Sequence, residues 1–464
     1  MKALAGCLIV FFSLFLQTLL AQQKQSPNVP PTLYGSVSSD TTAGAPISLS
    51  ITDAIDRALR YNLGLILSEQ DTRVSTAARV RALSELLPKI SGTISESVQQ
   101  INLAAFGFTG FQGGPAIVGP FSVFDARLRY THTVFDFRFL HELRSASERV
   151  TASNYSQQDI RELVVLITTD LYLESLAGGS RVEAARSQLK TSQAVYDRAV
   201  NLKETGVVPG IDVLRAQVQL QGQQQRLIAA ENELAKQKLN LARAIGLPQA
   251  QEFTQSNQFV TDPLNIPPLE QTLSTALDSR PDYRRAMTLI RSAEETRKAA
   301  SGRRLPSLKL DADYGALGTN PTFAHGTMLV QGTLLIPIYT GERARAEILE
   351  SESLLEQRKA EASNLRDQIE YQIRTANLDI QAAADQVRVA QAARDLAQQQ
   401  LTQAQDRFAA GVVNGLEVTQ AQEAVAGADE NYISSLFGLN VAEVALGRAI
   451  GSAEKTVKSF FGGK

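Results

Sequence analysis

The sequence is written twice. The stretch Thr205-Gly206-Val207-Val208-Pro209-Gly210-Ile211-Asp212-Val213-Leu214-Arg215-Ala216-Gln217 recurs as Ala410-Gly411-Val412-Val413-Asn414-Gly415-Leu416-Glu417-Val418-Thr419-Gln420-Ala421-Gln422. At equal distance downstream, Arg243-Ala244-Ile245-Gly246 is matched by Arg448-Ala449-Ile450-Gly451. Upstream, the segments 51–59 and 269–277 run parallel, and so do Leu87-Pro88-Lys89-Ile90 and Leu305-Pro306-Ser307-Leu308. Equal spacing of matched blocks marks a tandem duplication with a unit of roughly 200 residues, too long for a stacked solenoid repeat. Whatever the chain folds into is built from two similar halves.

Within each half the hydrophobic period switches in a fixed order. The first repeat, 49–246, reads as a helix over 51–86, strands at about 88–101 and 120–136, a long helix over 138–204, a turn at 205–211 and a helix ending before Gly246. A linker at 247–268 leads to the second repeat, 269–451. It reads as a helix over 269–304, strands at about 305–317 and 326–340, a long helix over 342–410, a turn at 410–416 and a helix over 415–450. Pro88, Gly206, Pro209, Gly246 and Pro248 supply the breaks. At about 1.5 Å per residue the long helices reach about 100 Å, and the two shorter helices of a repeat laid end to end nearly match one of them. Val182, Ala185, Leu189, Ser192, Tyr196 and Ala199 alternate steps of three and four, a coiled-coil seam. The expected fold is mainly α, with long antiparallel coiled-coil helices and four strands.

Those strands alternate. In 122–134, Phe124, Ala126, Leu128 and Tyr130 oppose Asp125, Arg127, Arg129 and Thr131; Leu308, Leu310 and Ala312 oppose Lys309, Asp311 and Asp313. Met328, Val330 and Leu334 alternate with Leu329, Gln331 and Thr333, and 89–101 alternates more weakly, with Glu96 on the apolar parity. Each is long enough to cross an outer membrane when tilted. Phe135, Phe137, Phe139 and Tyr339 lie where strands meet helices, as an interfacial aromatic girdle would. Four strands cannot close a barrel, whose smallest form has about eight, so eight strands from two copies or twelve from three are expected. Loops at about 102–120 and 317–326 then face outside, the first carrying Phe106, Phe108 and Phe111.

Residues 1–21, with Lys2, the apolar run from Leu8 to Leu16 and Ala21, read as a secretory signal peptide, followed by a Pro-rich extension at 22–48. An uncleaved anchor helix, or lipidation at Cys7, is the alternative reading. Nowhere else does such a leader-like apolar run occur, so any further membrane crossing is expected of the strands. A single Cys excludes a disulfide framework and a thiolate metal cage. The balance of 46 Lys and Arg against 48 Asp and Glu lacks the basic excess that nucleic acid demands. His132, His141 and His325 have no ligand spacing, and no nucleophile elbow or phosphate loop is present, so neither catalysis, cofactor nor metal is expected.

Three segments carry a resemblance: Leu49-Ser50-Ile51-Thr52-Asp53-Ala54-Ile55-Asp56-Arg57-Ala58-Leu59-Arg60-Tyr61-Asn62, Ala276-Leu277-Asp278-Ser279-Arg280-Pro281-Asp282-Tyr283 and Ile336-Pro337-Ile338-Tyr339-Thr340-Gly341. Together with both repeats, over about residues 49–451, the chain resembles the TolC-like outer-membrane efflux proteins. The resemblance implies a homotrimer with a twelve-stranded barrel in outer-membrane lipid, continued by a helical tube in the periplasm of a diderm bacterium. It implies a passive exit duct, docked by a periplasmic adaptor protein and energised by an inner-membrane pump of RND or ABC type. The docking tip would be Gly206, Val207, Val208, Pro209 and Gly210 with Gly411, Val412, Val413, Asn414 and Gly415; the periplasmic gate would include Asp212, Arg215, Glu417 and Gln420. Arg215 and Gln420 stand where the family often carries a second acidic residue, and Phe408 and Val413 offer no polar group, so a weakly charged gate is expected. A non-transporting coiled-coil scaffold or adhesin is the rival reading.

Overall fold

The computed structural model describes residues 31–38, 44–107, 116–261 and 268–461. The leader with Cys7, and Phe108 and Phe111 of the apolar loop, lie outside the described residues. In chain order the elements are β1 (Ile47–Leu49), α1 (Ile51–Tyr61), α2 (Leu63–Ser84), β2 (Lys89–Asn102), β3 (Ile117–Phe135), α3 (Phe137–Glu204), α4 (Gly210–Ala244) and β4 (Phe253–Gln255). There follow α5 (Leu269–Ser279), α6 (Pro281–Gly302), β5 (Ser307–Gly318), β6 (His325–Leu335), α7 (Arg343–Ala409), α8 (Gly415–Ile450) and α9 (Ala453–Phe461). The long helices α3 and α7 contain 68 and 67 residues, hence about 100 Å each.

The single helices expected over 51–86 and 269–304 are each broken in two. Asn62 is extended (ψ 129°), and its side chain accepts the amide of Gly64, ending α1 and capping α2. In the second repeat Pro281 follows Arg280; its ring disfavours helical geometry at the preceding residue while suiting the first turn of α6. The breaks account for the duplicated Arg-Ala-Ile-Gly motif. Gly246 and Gly451 end α4 and α8 with φ of 72° and 79°. A Cβ there would lie 2.7 Å from Tyr61 Cβ and 2.9 Å from Arg280 Cα respectively, so each bare glycine seats the break of its own repeat.

Helix α3 is flanked toward the strands by α2 and α6, through Arg79 to Ser147 (3.1 Å) and His141 to Glu295 (2.6 Å). Toward its other end it packs on α4 and α8, while α7 packs on α8 and α6. Val182, Ala185, Ser192 and Ala199 of the seam are buried. One core gathers Leu49, Ile51, Ile55, Val164, Tyr172, Leu241, Ile245, Phe253 and Val457 midway along the rods, where β1 pairs in parallel with β4 and α9 docks. A second, of Ala199, Leu202, Leu401, Phe408, Val418 and Val425, fills the end far from the strands.

Candidate functional site

The larger sheet is antiparallel with order β2-β3-β5-β6. Residues paired across a ladder share a face, so the register sorts the sheet. Ile90, Tyr130, Ala312 and Val330 form one row, with Gly92, Leu128, Tyr314 and Met328 in the next row on that face. The opposite face carries Lys89, Thr131, Asp311 and Gln331, then Thr93, Arg127, Gly315 and Thr327. On this polar face Arg127 binds Asp125 (3.1 Å) and Asp313 (2.5 Å), and Thr131 donates to Asp311 (3.1 Å). Leu329 and Leu335 are apolar exceptions on it. Among the described residues nothing covers the apolar face, Met328 being 76% exposed. Among the described residues the outer edges of β2 and β6 have no strand neighbour.

The same register explains Glu96. It faces Phe124, which in turn pairs with Gly318, the last residue of β5, so Glu96 stands level with the β5–β6 turn, at the rim. Beyond it β2 and β3 run on as a two-stranded ribbon to Asn102 and Ile117, so β3 starts earlier than expected and the 102–120 loop is shorter. Where the strands give way to helices, Phe135 meets Phe137 edge-on at 5.1 Å, Arg138 covers the Phe139 ring, and Tyr339 is exposed.

One long helix away lie the two matched turns. Gly206 (φ 75°) and Gly411 (φ 70°) take left-handed backbone, and the amides of Val207 and Val412 return to the carbonyls of Leu202 and Arg407. Both long helices thus end in the same glycine cap. Pro209 and Asn414 open α4 and α8 without a side-chain cap, which leaves the helix N-termini to the first-turn carboxylates Asp212 and Glu417. The turns touch: a Cβ on Gly411 would lie 3.2 Å from Val207, and one on Gly415 would lie 3.6 Å from Asp212 Oδ1. Asp212 is 4% exposed in the chain and accepts from Arg215 at 3.1 Å. Glu417 accepts from Arg407 at 2.7 Å. Val208 and Val413 are half-buried against the end core, whereas Val207, Pro209, Gly210, Val412, Asn414, Arg215 and Gln420 are exposed. Arg407 was not singled out in the sequence; its counterpart in the first repeat is Leu202, so the duplication gave no signal. Phe408 proves to be a core residue, 3% exposed.

The profile described as "Outer membrane efflux protein" matches residues 54–247 and 272–452. The chain belongs to this outer membrane efflux protein family. The pyoverdine export outer membrane protein OpmQ of Pseudomonas aeruginosa is 26% identical over 427 residues, 88% of this chain and 85% of that protein. The toluene efflux pump outer membrane protein TtgC of Pseudomonas putida is 23% identical over 389 residues, 79% and 76% of the two chains. Among solved structures, CusC superposes with a TM-score of 0.78 at 17% identity, covering 90% of this chain and all of that one. The Campylobacter jejuni CmeC outer membrane channel gives 0.75 at 17% identity, covering 92% and 94%.

Proposed function

We propose that three copies of this chain close their four-stranded sheets into one twelve-stranded barrel across the outer membrane and continue it as a helical tube through the periplasm. The observation that carries this is the sheet itself: two edges unpaired among the described residues, one exposed apolar face and one charged face. In lipid every backbone group needs a partner, so an open sheet must close; four strands are too few alone, and β6 of one copy beside β2 of the next leaves none open. The polar rows of Arg127, Thr131, Asp311 and Asp313 then line a wet lumen. The segment 1–21 serves as the export leader, with cleavage after Ala21.

The duct is passive. A periplasmic adaptor docks on the tip formed by residues 206–210 and 411–415, and an inner-membrane pump of RND or ABC type supplies the energy. The tip is the periplasmic gate, and a weakly charged one, because Arg215 offsets Asp212 and Arg407 offsets Glu417. Planar-bilayer recording tests the reading: stable conductance steps from the detergent-solubilised oligomer support a duct, and release from membranes by carbonate washing with no conductance supports a scaffold. For the gate, Asp212→Ala with Glu417→Ala is expected to lower cation preference; unchanged conductance and selectivity would remove the carboxylates from it.

A further inference from the structure

Arg243 and Arg448 occupy the same place in the two repeats and are used differently. Arg243 lies on the surface. Arg448, its side chain 13% exposed, binds Asp159, a residue of α3 and so of the other repeat. Beside this pair Arg280, itself 3% exposed, holds Asp282 at 2.6 Å and donates to Gln372 of α7 (2.7 Å) and to the carbonyl of Ala449 (3.1 Å). Burial pushes the Asp159 carboxyl above its ordinary range, against the pull of Arg448. Two guanidiniums and two carboxylates therefore meet where α3, α6, α7 and α8 converge. In the first repeat the position of Arg280 is taken by neutral, buried Asn62, which donates to the carbonyl of Leu33 and accepts from the amide of Gly64; the cation at that break, Arg57, reaches the carbonyl of Gly246 at 3.5 Å and lies over the Tyr61 ring.

Apolar groups of similar volume hold helices together at least as well as a buried ion cluster. Directed, charge-assisted hydrogen bonds add fixed geometry. We infer that Asp159, acting through Arg448, is a positioning residue that fixes the angle at which the α7–α8 hairpin leaves the middle of the rod, and thereby the placement of the tip. The consequence rests on reading the turns as the channel's narrow end. From Arg448 to Gly415, α8 runs about 50 Å, so a tilt of about 5° at the cluster displaces the turn by about 4 Å.

The test is a distance within one chain. Spin labels at Glu204→Cys and Ala410→Cys, one on each turn, are read by pulsed electron resonance in oligomers diluted with unlabelled copies. Asp159→Asn and Arg448→Met are each expected to shift or broaden that distance by about 3–5 Å. The double variant Asp159→Leu/Arg448→Met, which refills the site with apolar volume, should recover thermal stability but not the distance. Single variants that leave the distance unchanged, or a double variant that restores it, would overturn the inference. Because the labels sit in one chain, the measurement reads the cluster whether or not conductance is seen, so the two readings fail separately.

Discussion

Gly451→Ala isolates the element that makes each repeat cohere. Two costs add at this position. An alanine held at φ 79° pays the left-handed penalty of an L-residue, roughly 1–2 kcal/mol. Its methyl would also stand 2.9 Å from Arg280 Cα and 3.0 Å from Arg280 N, backbone atoms that cannot rotate away, which adds about 1–3 kcal/mol of overpacking. The sum is about 2–5 kcal/mol. Gly206→Ala is the internal control: the same cap geometry, with nothing within 4 Å of the new methyl, so only the first cost applies. Native-state hydrogen exchange in detergent reads both. Amides at the end of α8 and the start of α6 should exchange about 30-fold to several thousand-fold faster in Gly451→Ala, against about 5- to 30-fold at the end of α3 in Gly206→Ala. Equal effects at the two sites would refute the claim that this glycine seats the helix break.

Other expectations follow from the same geometry. Met328→Lys places a charge on the exposed apolar row that the proposed barrel turns to lipid and should cost about 2–4 kcal/mol, seen as loss of the unheated oligomer on gels, whereas Gln331→Lys on the opposite face should leave the oligomer intact. Glu454 is held below the ordinary carboxylate range, first by its hydrogen bonds from Arg161 and then by Lys458, against partial burial. Its folded value being depressed, its contribution to docking α9 is present above the unfolded Glu value of about 4.3 and is lost as pH falls through the folded value. Protection factors of α9 amides, which discount the intrinsic pH dependence of exchange, should therefore fall on acidification below about pH 4.3, and Glu454→Gln should flatten that fall; an unchanged profile would show that this carboxylate does not secure α9.

Much of this was legible in the sequence because it depends on local rules. The long helices show through periodicity and glycine stops, and the strand faces show through parity: Asp125, Arg127 and Arg129 on one side, Phe124, Ala126 and Leu128 on the other. The turn glycines show through the duplication itself. What stayed hidden depends on contacts far apart in the chain. The break at Asn62 has no proline to mark it and is secured by Leu33 and by the carbonyl and amide of residues 35–37. The burial of Asp212 comes from the second repeat's turn lying against it, and the pairing of Arg448 with Asp159 joins positions 289 apart. Glu96 looked misplaced until the register set it at the rim.

The most direct test of the account is the native mass of the detergent-solubilised protein. Three copies per particle, heat-dissociable and insoluble without detergent, are predicted, because the proposed twelve-stranded ring takes four strands from each copy. A single copy that stays in solution without detergent would contradict it.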